Sequence, residues 1–204
     1  EMAESIRAHL QANPSLQDFP DQESPEFQAL NNELHFLTIK PVIYIANLSE
    51  ADLAGGNVLL TSLEAAAANQ EATLITISAL LEAELFGLSE KEKKEYLELA
   101  GVDSSGLEKV IRTGYEALDL ISFFTYNQDQ AKAWTVKKGA TAPEAAGRIH
   151  SDFQRGFIKA EVIPFADFQE YGSASAARNA GKLRVEGKDY IVKDGDVIYF
   201  RYNV

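Results

Sequence analysis

KPVIYIANLSE, residues Lys40 to Glu50, is the stretch from which the fold is read. A proline and a run of apolar, mostly β-branched residues (Val42, Ile43, Tyr44, Ile45) arrive at an asparagine, which predicts a buried strand over 41–46 that ends at Asn47. ATLITISA (72–79) predicts a second short strand that breaks off at Ser78-Ala79. Between them VLLTSLEAAAANQ has helical periodicity and good helix formers. Farther on, LSEKEKKEYLELAG opens on a serine cap and stops at Gly101, and SGLEKVIRTGYEALDLI sets Leu107, Val110, Ile111 and Leu118 on one helical face. Strands that alternate with helices and carry uninterrupted apolar runs predict a parallel sheet covered on both faces.

From Ser122 the texture changes. SFFTY and AKAWTV predict a hairpin, and Thr141 with Glu144 three residues later and Pro143 between them predicts a capped helix through about Gln154. GFIKAEVIPF, KLRV, DYIV and DVIYFRYNV predict four further strands, the last three joined by EGK and KDGD turns. Two strands, a helix and then more strands describe a β-grasp.

The composition is globular, 46% hydrophobic and 25% charged over 204 residues. No run approaches the length of a membrane span, and nothing resembles a signal peptide. The absence of cysteine excludes disulfides, thiolate metal sites and cysteine nucleophiles, and it fits a reducing cytoplasm. Three scattered histidines (His9, His35, His150) make a histidine zinc site improbable. The net charge of −12 is unevenly spread: residues 1–121 hold 7 basic against 21 acidic side chains, whereas residues 122–204 hold 12 against 10. Either acidic helices keep the front half soluble, or there are two modules of which only the second tolerates a polyanion.

Ligands of open α/β sheets sit beyond the carboxyl ends of the strands, where Asn47 and Ser78 occupy equivalent places. In P-loop GTPases an Asn-Lys-x-Asp motif fills the first place and a Ser-Ala-Lys-like loop the second, and the aspartate accepts from guanine. Here the motif reads Asn47-Leu48-Ser49-Glu50, with leucine for lysine and the carboxylate one methylene farther out. Asn47 can donate to a ring nitrogen and accept from an amine, and Leu48 can cover the ring and offer its carbonyl to an exocyclic amine. Loss of the guanine-reading aspartate should remove guanine preference. The plainer reading of a lone Asn-x-x-Glu is a turn that caps the next helix; the paired Ile-Ser-Ala loop and its fold context favour the site.

KPVIYIANLSE, ISALLEAEL, GLEKVIRTGYEALDLISFFT and the long blocks AWTVKKGATAPEAAGRIHSDFQRGFIKAEVI and GKLRVEGKDYIVKDGDVIYFRYNV resemble the YchF branch of the Obg-like ATPases, from about Leu34 to Val204. RIHSDF (Arg148–Phe153) and DGDVIYF (Asp194–Phe200) match signatures of the TGS domain, a ubiquitin-like β-grasp. The resemblance implies the C-terminal part of a P-loop NTPase sheet with its helices, followed by a TGS β-grasp. It divides the chain into the end of a helical insertion (1–35), nucleotide-domain sheet and helices (36–121) and the TGS domain (122–204). It aligns Asn47 and Glu50 with the family's base-reading motif, Leu48 with its adenine-contacting residue, and Ser78 and Ala79 with the second base loop; Leu80 departs from the lysine often found there. It implies ATP preferred over GTP, Mg2+ with ligands upstream of this chain, and the ribosome or ribosomal RNA as partner in the cytoplasm, with no membrane or DNA partner.

No G-x-x-x-x-G-K-[ST] occurs, and the Gly55-Gly56 pair leads into NVLL with no lysine. By the resemblance, the family's Mg2+-holding threonine and its phosphate-site D-x-x-G loop are missing from this stretch and expected upstream. Phosphoryl transfer consists largely of positioning phosphates and metal, so this chain alone is not expected to hydrolyse ATP, and no catalytic or metal-binding residue is assigned. It reads as part of a longer protein.

The competing reading is a stand-alone RNA- or ribosome-binding β-grasp module with no nucleotide role. A ubiquitin-like carrier would need an extended diglycine end, whereas this chain ends in YFRYNV. His150 and Asp152 read as part of a capped helix rather than an acid–base pair. Phe123, Phe124, Tyr126 and Trp134 read as core, with base stacking as the alternative. Lys132, Lys137, Lys138, Arg148, Arg155 and Lys159 form either a phosphate-contacting face or a solvated one.

Overall fold

The computed structural model describes residues 1–55, 57–70, 72–126 and 130–203. Gly56 and Val204, both used in the sequence reading, lie outside the described residues. The chain divides into two compact units, Glu1–Thr113 and Gly114–Val204.

In the first unit, α1 (Met2–Ala12) and α2 (Pro25–Leu34) close over a small core of Ile6, Leu16, Phe19 and Phe27. The Phe19 and Phe27 rings stack with centroids 5.3 Å apart. Ser24 caps α2, its hydroxyl accepting the Phe27 N–H, and Pro25 starts the helix where no N–H is needed. A 3-10 turn (Leu37–Ile39) leads into β1 (Ile43–Asn47), followed by α3 (Glu50–Gly55) and α4 (Val58–Ala68). Strand β2 (Thr73–Ile77) pairs parallel to β1, in register from Ile43 opposite Thr73 to Asn47 opposite Ile77. Three helices follow: α5 (Ala79–Leu85), α6 (Glu90–Leu99) and α7 (Gly106–Ala117). Ser89 and Glu92 close a reciprocal capping box at the start of α6.

Cover of this sheet is only partial. Leu107 and Ile111 on the expected apolar face of α7 are exposed, as are Ile45 on β1 and Val58 and Leu59 on α4. The described sheet of this unit has two strands, so it offers too little surface to bury every apolar helix face.

The second unit is built on β3 (Leu120–Tyr126) and β4 (Ala131–Lys137), which pair antiparallel. Helices α8 (Ala142–Ile149) and α9 (Ser151–Arg155) come next, then β5 (Phe157–Pro164), α10 (Phe165–Tyr171), α11 (Ala174–Asn179), β6 (Arg184–Glu186) and β7 (Asp196–Tyr202). The sheet order is β4-β3-β7-β5-β6, with β7 parallel to β3 and antiparallel to β5. First and last strands lying parallel at the centre is the β-grasp arrangement. Ala142, Ala145 and Ala146 recur at helical spacing along α8 and are fully buried, so their small side chains let the helix approach Phe123, Val162 and Ile198 closely.

Three details differ from the sequence reading. The helix expected through Gln154 breaks at His150, whose extended backbone (φ −161°, ψ 144°) lets Nδ1 accept the Asp152 N–H and cap α9. The segment after Pro164 forms α10 and α11 rather than prolonging the strand, with Phe165 set against Phe124 and Phe168 against Tyr126. DYIV is not a strand: Ile191 makes one bridge to Thr141, while the Tyr190 hydroxyl turns inward to Asp196. The aromatic core reading holds for Phe123, which is fully buried, and for Phe124 and Tyr126, which pack on α10. Among the described residues no helix is long and apolar enough to cross a membrane.

The DGD turn ties the centre of the sheet together. Asp194 accepts the Ser122 N–H (2.8 Å), and the Gly195 N–H returns a bond to the Ser122 carbonyl (2.8 Å). Asp196, 2% exposed, accepts from the Tyr190 hydroxyl (2.7 Å) and the Lys193 N–H (2.9 Å), while Arg184 donates to the same hydroxyl. A buried carboxylate satisfied in this way is stable where an orphaned one would not be.

Two outcomes follow from this packing. A Cβ at Gly156 would lie 2.1 Å from the Asn203 carbonyl oxygen, a backbone atom that cannot swing away. Gly156→Ala should therefore destabilise the second unit by about 1–3 kcal/mol, read by urea denaturation. Burial, then the bond to Asp196, pushes the Tyr190 phenol up to about 12 from 10.0. Because the fold prefers the protonated phenol, its contribution is complete below pH 10 and is lost as pH rises from 10 toward 12. Tyr190→Phe should be less stable at neutral pH and show a shallower loss of stability across that window; parallel pH curves for the two proteins would contradict this.

Candidate functional site

The carboxyl ends of β1 and β2 carry the residues singled out by sequence. The ladder continues one residue past Asn47, where the Leu48 N–H donates to the Ile77 carbonyl at 2.8 Å. The side chain of Asn47 then takes over from the backbone, its Oδ1 accepting the Ala79 N–H at 3.0 Å. One asparagine therefore bonds the two loops to each other; it is exposed, and among the described residues its Nδ2 makes no hydrogen bond. Asn47 and Ala79 are brought together directly.

Ser78 sits differently. It is 2% exposed, and its hydroxyl accepts the Leu81 N–H as the cap of α5. Leu81 beneath it is buried. The Ser78 side chain therefore holds the loop in place, and the surface of that loop is presented by Ala79 and the exposed Leu80. Leu48 is half-buried.

Glu50 is the first residue of α3, where a carboxylate is favoured by the helix dipole. Among the described residues no side chain hydrogen-bonds its carboxylate. The turn is fixed by its neighbours instead. The Ser49 hydroxyl donates to Asp52 (2.7 Å) and accepts the Asp52 N–H, and Asn57 donates to the other Asp52 oxygen (3.1 Å). The Ser49 bond first, then the Asn57 bond, holds the Asp52 carboxyl below its usual range. Asp52 is thus committed to structure and Glu50 is not.

Sequence reasoning missed three further residues here. Glu82 on α5 accepts the Gly106 N–H at 2.5 Å and so caps α7. A Cβ at Gly106 would lie 2.7 Å from the Ile77 side chain, so glycine lets α7 begin hard against the end of β2. Tyr96 on α6 donates to the Glu84 carboxylate, and chiefly that bond pushes its phenol up to about 12, with the negative charge of Glu50 acting in the same direction. A glycine at a helix start was the one local signal available. The Glu84 and Glu50 relationships with Tyr96 span many residues and have none.

The cations of the second unit do not form one cluster. Arg155 pairs with Asp152, Arg178 and Arg201 with Glu161, Lys182 with Asp167 and Arg184 with Glu186. Lys137, Lys138 and Arg148 line one groove of about 500 Å3 at the corner of β4 and α8. Trp134 donates from Nε1 to the Thr125 hydroxyl, and the Lys132 ammonium lies 4.0 Å from its ring centroid. Among the described residues no group of three or more His, Cys, Asp or Glu is arranged to hold a metal ion.

Comparison with known proteins is consistent with this architecture. A family profile described as YchF-GTPase_C, protein of unknown function (DUF933), matches residues 120–203. The chain is 45% identical over 181 residues to the ribosome-binding ATPase YchF of Bacillus subtilis, covering 88% of this chain and 50% of that protein. It is 44% identical over 188 residues to the Obg-like ATPase 1 of Homo sapiens, covering 91% of this chain and 47% of that protein. The structure of the Schizosaccharomyces pombe YchF GTPase superposes with a TM-score of 0.73 at 36% identity, over 87% of this chain and 48% of that one. The chain spans about half the length of the curated relatives it matches. With a YchF-GTPase_C domain over residues 120–203 and this level of identity along most of its length, the chain belongs to the YchF family of Obg-like ATPases.

Proposed function

We propose that this chain supplies the base-reading half of an adenine-nucleotide site and a TGS-type β-grasp to an NTPase that hydrolyses ATP and associates with the ribosome. The observation that carries the reading is the bond from the Ala79 N–H to Asn47 Oδ1. It fixes the amide plane of Asn47, so that Nδ2 is aimed by the protein before any ligand arrives. Leu48 and Leu80 offer apolar surface to a ring, and the Glu50 carboxylate stands uncommitted at the start of α3. These groups fit a purine base.

They do not fit phosphates. No phosphate-cradling loop occurs in the sequence, and the chain's own residues supply neither a phosphate-binding lysine nor a Mg2+ site among those described. Mg2+, when bound, would neutralise charge on the transferring phosphoryl group. At the nucleotide, the work of this chain is confined to holding and selecting the base. Exposed Ile45, Val58, Leu59, Leu107 and Ile111 support the reading, because the rest of a parallel nucleotide-binding sheet would cover such surfaces. The name of the ribosome-binding ATPase YchF supports association with the ribosome, which is assigned to the second unit because the first carries most of the negative charge.

Competitive nucleotide binding by the intact NTPase tests the base assignment. The unaltered protein should prefer ATP, and Leu48→Lys with Glu50→Asp together should move preference toward GTP, because aspartate restores an acceptor for guanine N1–H and its amine. Equal or better GTP affinity in the unaltered protein would sink the assignment. Asn47→Ala should weaken both nucleotides by roughly tenfold or more, since it removes a ligand donor and leaves the Ala79 N–H without its partner. Unchanged affinity would show that Asn47 is only a strand-end tie.

A further inference from the structure

The second unit carries 12 lysines and arginines, and its ion pairs sort them. Five are neutralised by carboxylates: Arg155, Arg178, Lys182, Arg184 and Arg201. Among the described residues no ion pair involves Lys132, Lys137, Lys138 or Arg148, and these four share the β4 edge and the facing end of α8. Four of the seven cations without an ion pair therefore gather at one corner, with Lys159, Lys188 and Lys193 elsewhere, although the net charge of the unit is small.

Three of these cations line the groove of about 500 Å3 there. Lys137 Nζ donates to the Leu118 carbonyl (2.7 Å), a neutral partner that holds the ammonium without cancelling it. Arg148 Nε donates to the Thr135 carbonyl (3.1 Å), which pins the guanidinium and leaves its two terminal nitrogens to donate elsewhere. The one carboxylate on the groove, Glu144, is occupied with the capping box: Oε2 accepts the N–H and the hydroxyl of Thr141 at 2.7 and 2.8 Å. Three fixed or exposed cations against one committed carboxylate make an anion site.

Two observations decide what kind of anion. β4 is the open edge of the sheet, where an extended acidic peptide could in principle add as a strand. Arg148 already occupies the Thr135 carbonyl in the middle of that edge, so strand addition is obstructed. Base stacking is obstructed as well, because Trp134 is half-buried, held by Thr125 and overlain by Lys132. What remains accessible is positive charge and donor N–H groups, which suit a phosphodiester backbone.

We propose that the β4–α8 groove, through Lys137, Lys138 and Arg148 with Lys132 flanking, docks the phosphate backbone of RNA without reading its sequence. The inference rests on the ribosome-associating reading and gives that contact a location and a chemistry. Arg155, which a sequence count places in the same cluster, is excluded from it by its pairing with Asp152.

The test titrates the 204-residue chain with a labelled double-stranded RNA oligonucleotide, followed by anisotropy and by emission of Trp134, the single tryptophan. Affinity should be the same for oligonucleotides of different sequence and should fall with salt with a log–log slope of about 3. Lys137→Gln with Lys138→Gln should weaken binding roughly tenfold and lower the slope by about 2. Lys188→Gln, which removes one charge beyond the opposite edge strand, should change neither. No RNA binding by the unaltered chain, undiminished binding by the double variant, or an equal loss in Lys188→Gln would overturn the proposal. So would polyglutamate displacing RNA in the unaltered chain but not the double variant, since the groove would then take an acidic protein segment. Ribosome co-sedimentation of the intact protein separates the two readings. If the double variant loses oligonucleotide binding yet co-sediments fully, the groove is not the ribosomal contact; if the unaltered protein binds oligonucleotide but never co-sediments, the groove stands and the ribosomal reading falls.

Discussion

One side chain standing in for a peptide group holds the first unit's candidate site together. Pairing of β1 and β2 stops at Asn47 opposite Ile77, and the backbone ladder ends with the bond from Leu48 to the Ile77 carbonyl. Asn47 Oδ1 adds the next rung by accepting the Ala79 N–H, and Ser78 fixes the other side by capping α5. Because both loops are tied at their bases, the exposed groups above them start from a set geometry. Gly106 and Glu82 extend the same constraint to α7, which can begin against Ile77 only because no Cβ intervenes.

The second unit depends on a different economy of charge. Its buried carboxylate, Asp196, is surrounded by donors from Tyr190 and Lys193, and the surface arginines of the sheet's other face converge on Glu161. Ion pairs of this kind take up five of the unit's twelve cations. Of the seven cations that have no ion pair among the described residues, four lie together at the β4 edge and α8, and two of these are held by neutral carbonyls rather than by acids. A nearly neutral domain can in this way present a local cationic groove.

The two units also differ in how completely they bury their apolar residues. The β-grasp places a continuous core between α8 and the sheet, with Phe123, Val162 and Ile198 fully enclosed. The first unit leaves apolar residues of β1, α4 and α7 in solvent. The same helical periodicity predicts a buried face in both, but burial needs an opposing surface, and two described strands do not provide one for every helix.

What the sequence by itself determined was the structure that local interactions specify. The parallel strands ending near Asn47 and Ser78, the Ser89 cap, the Thr141–Glu144 capping box and the β3–β4 hairpin are legible because their signals lie within a few residues of one another. Tertiary structure alone decided the rest. It turned DYIV from a strand into a single bridge because Tyr190 has a buried carboxylate to reach, and it folded 165–179 into two helices against Phe124 and Tyr126. It assigned the Ser78 hydroxyl to a cap, bonded Asn47 to Ala79 across 32 residues, and divided six neighbouring cations into paired and unpaired sets. Each of those outcomes depends on which distant partner a polar group meets in space, and no periodicity or spacing along the chain carries that information.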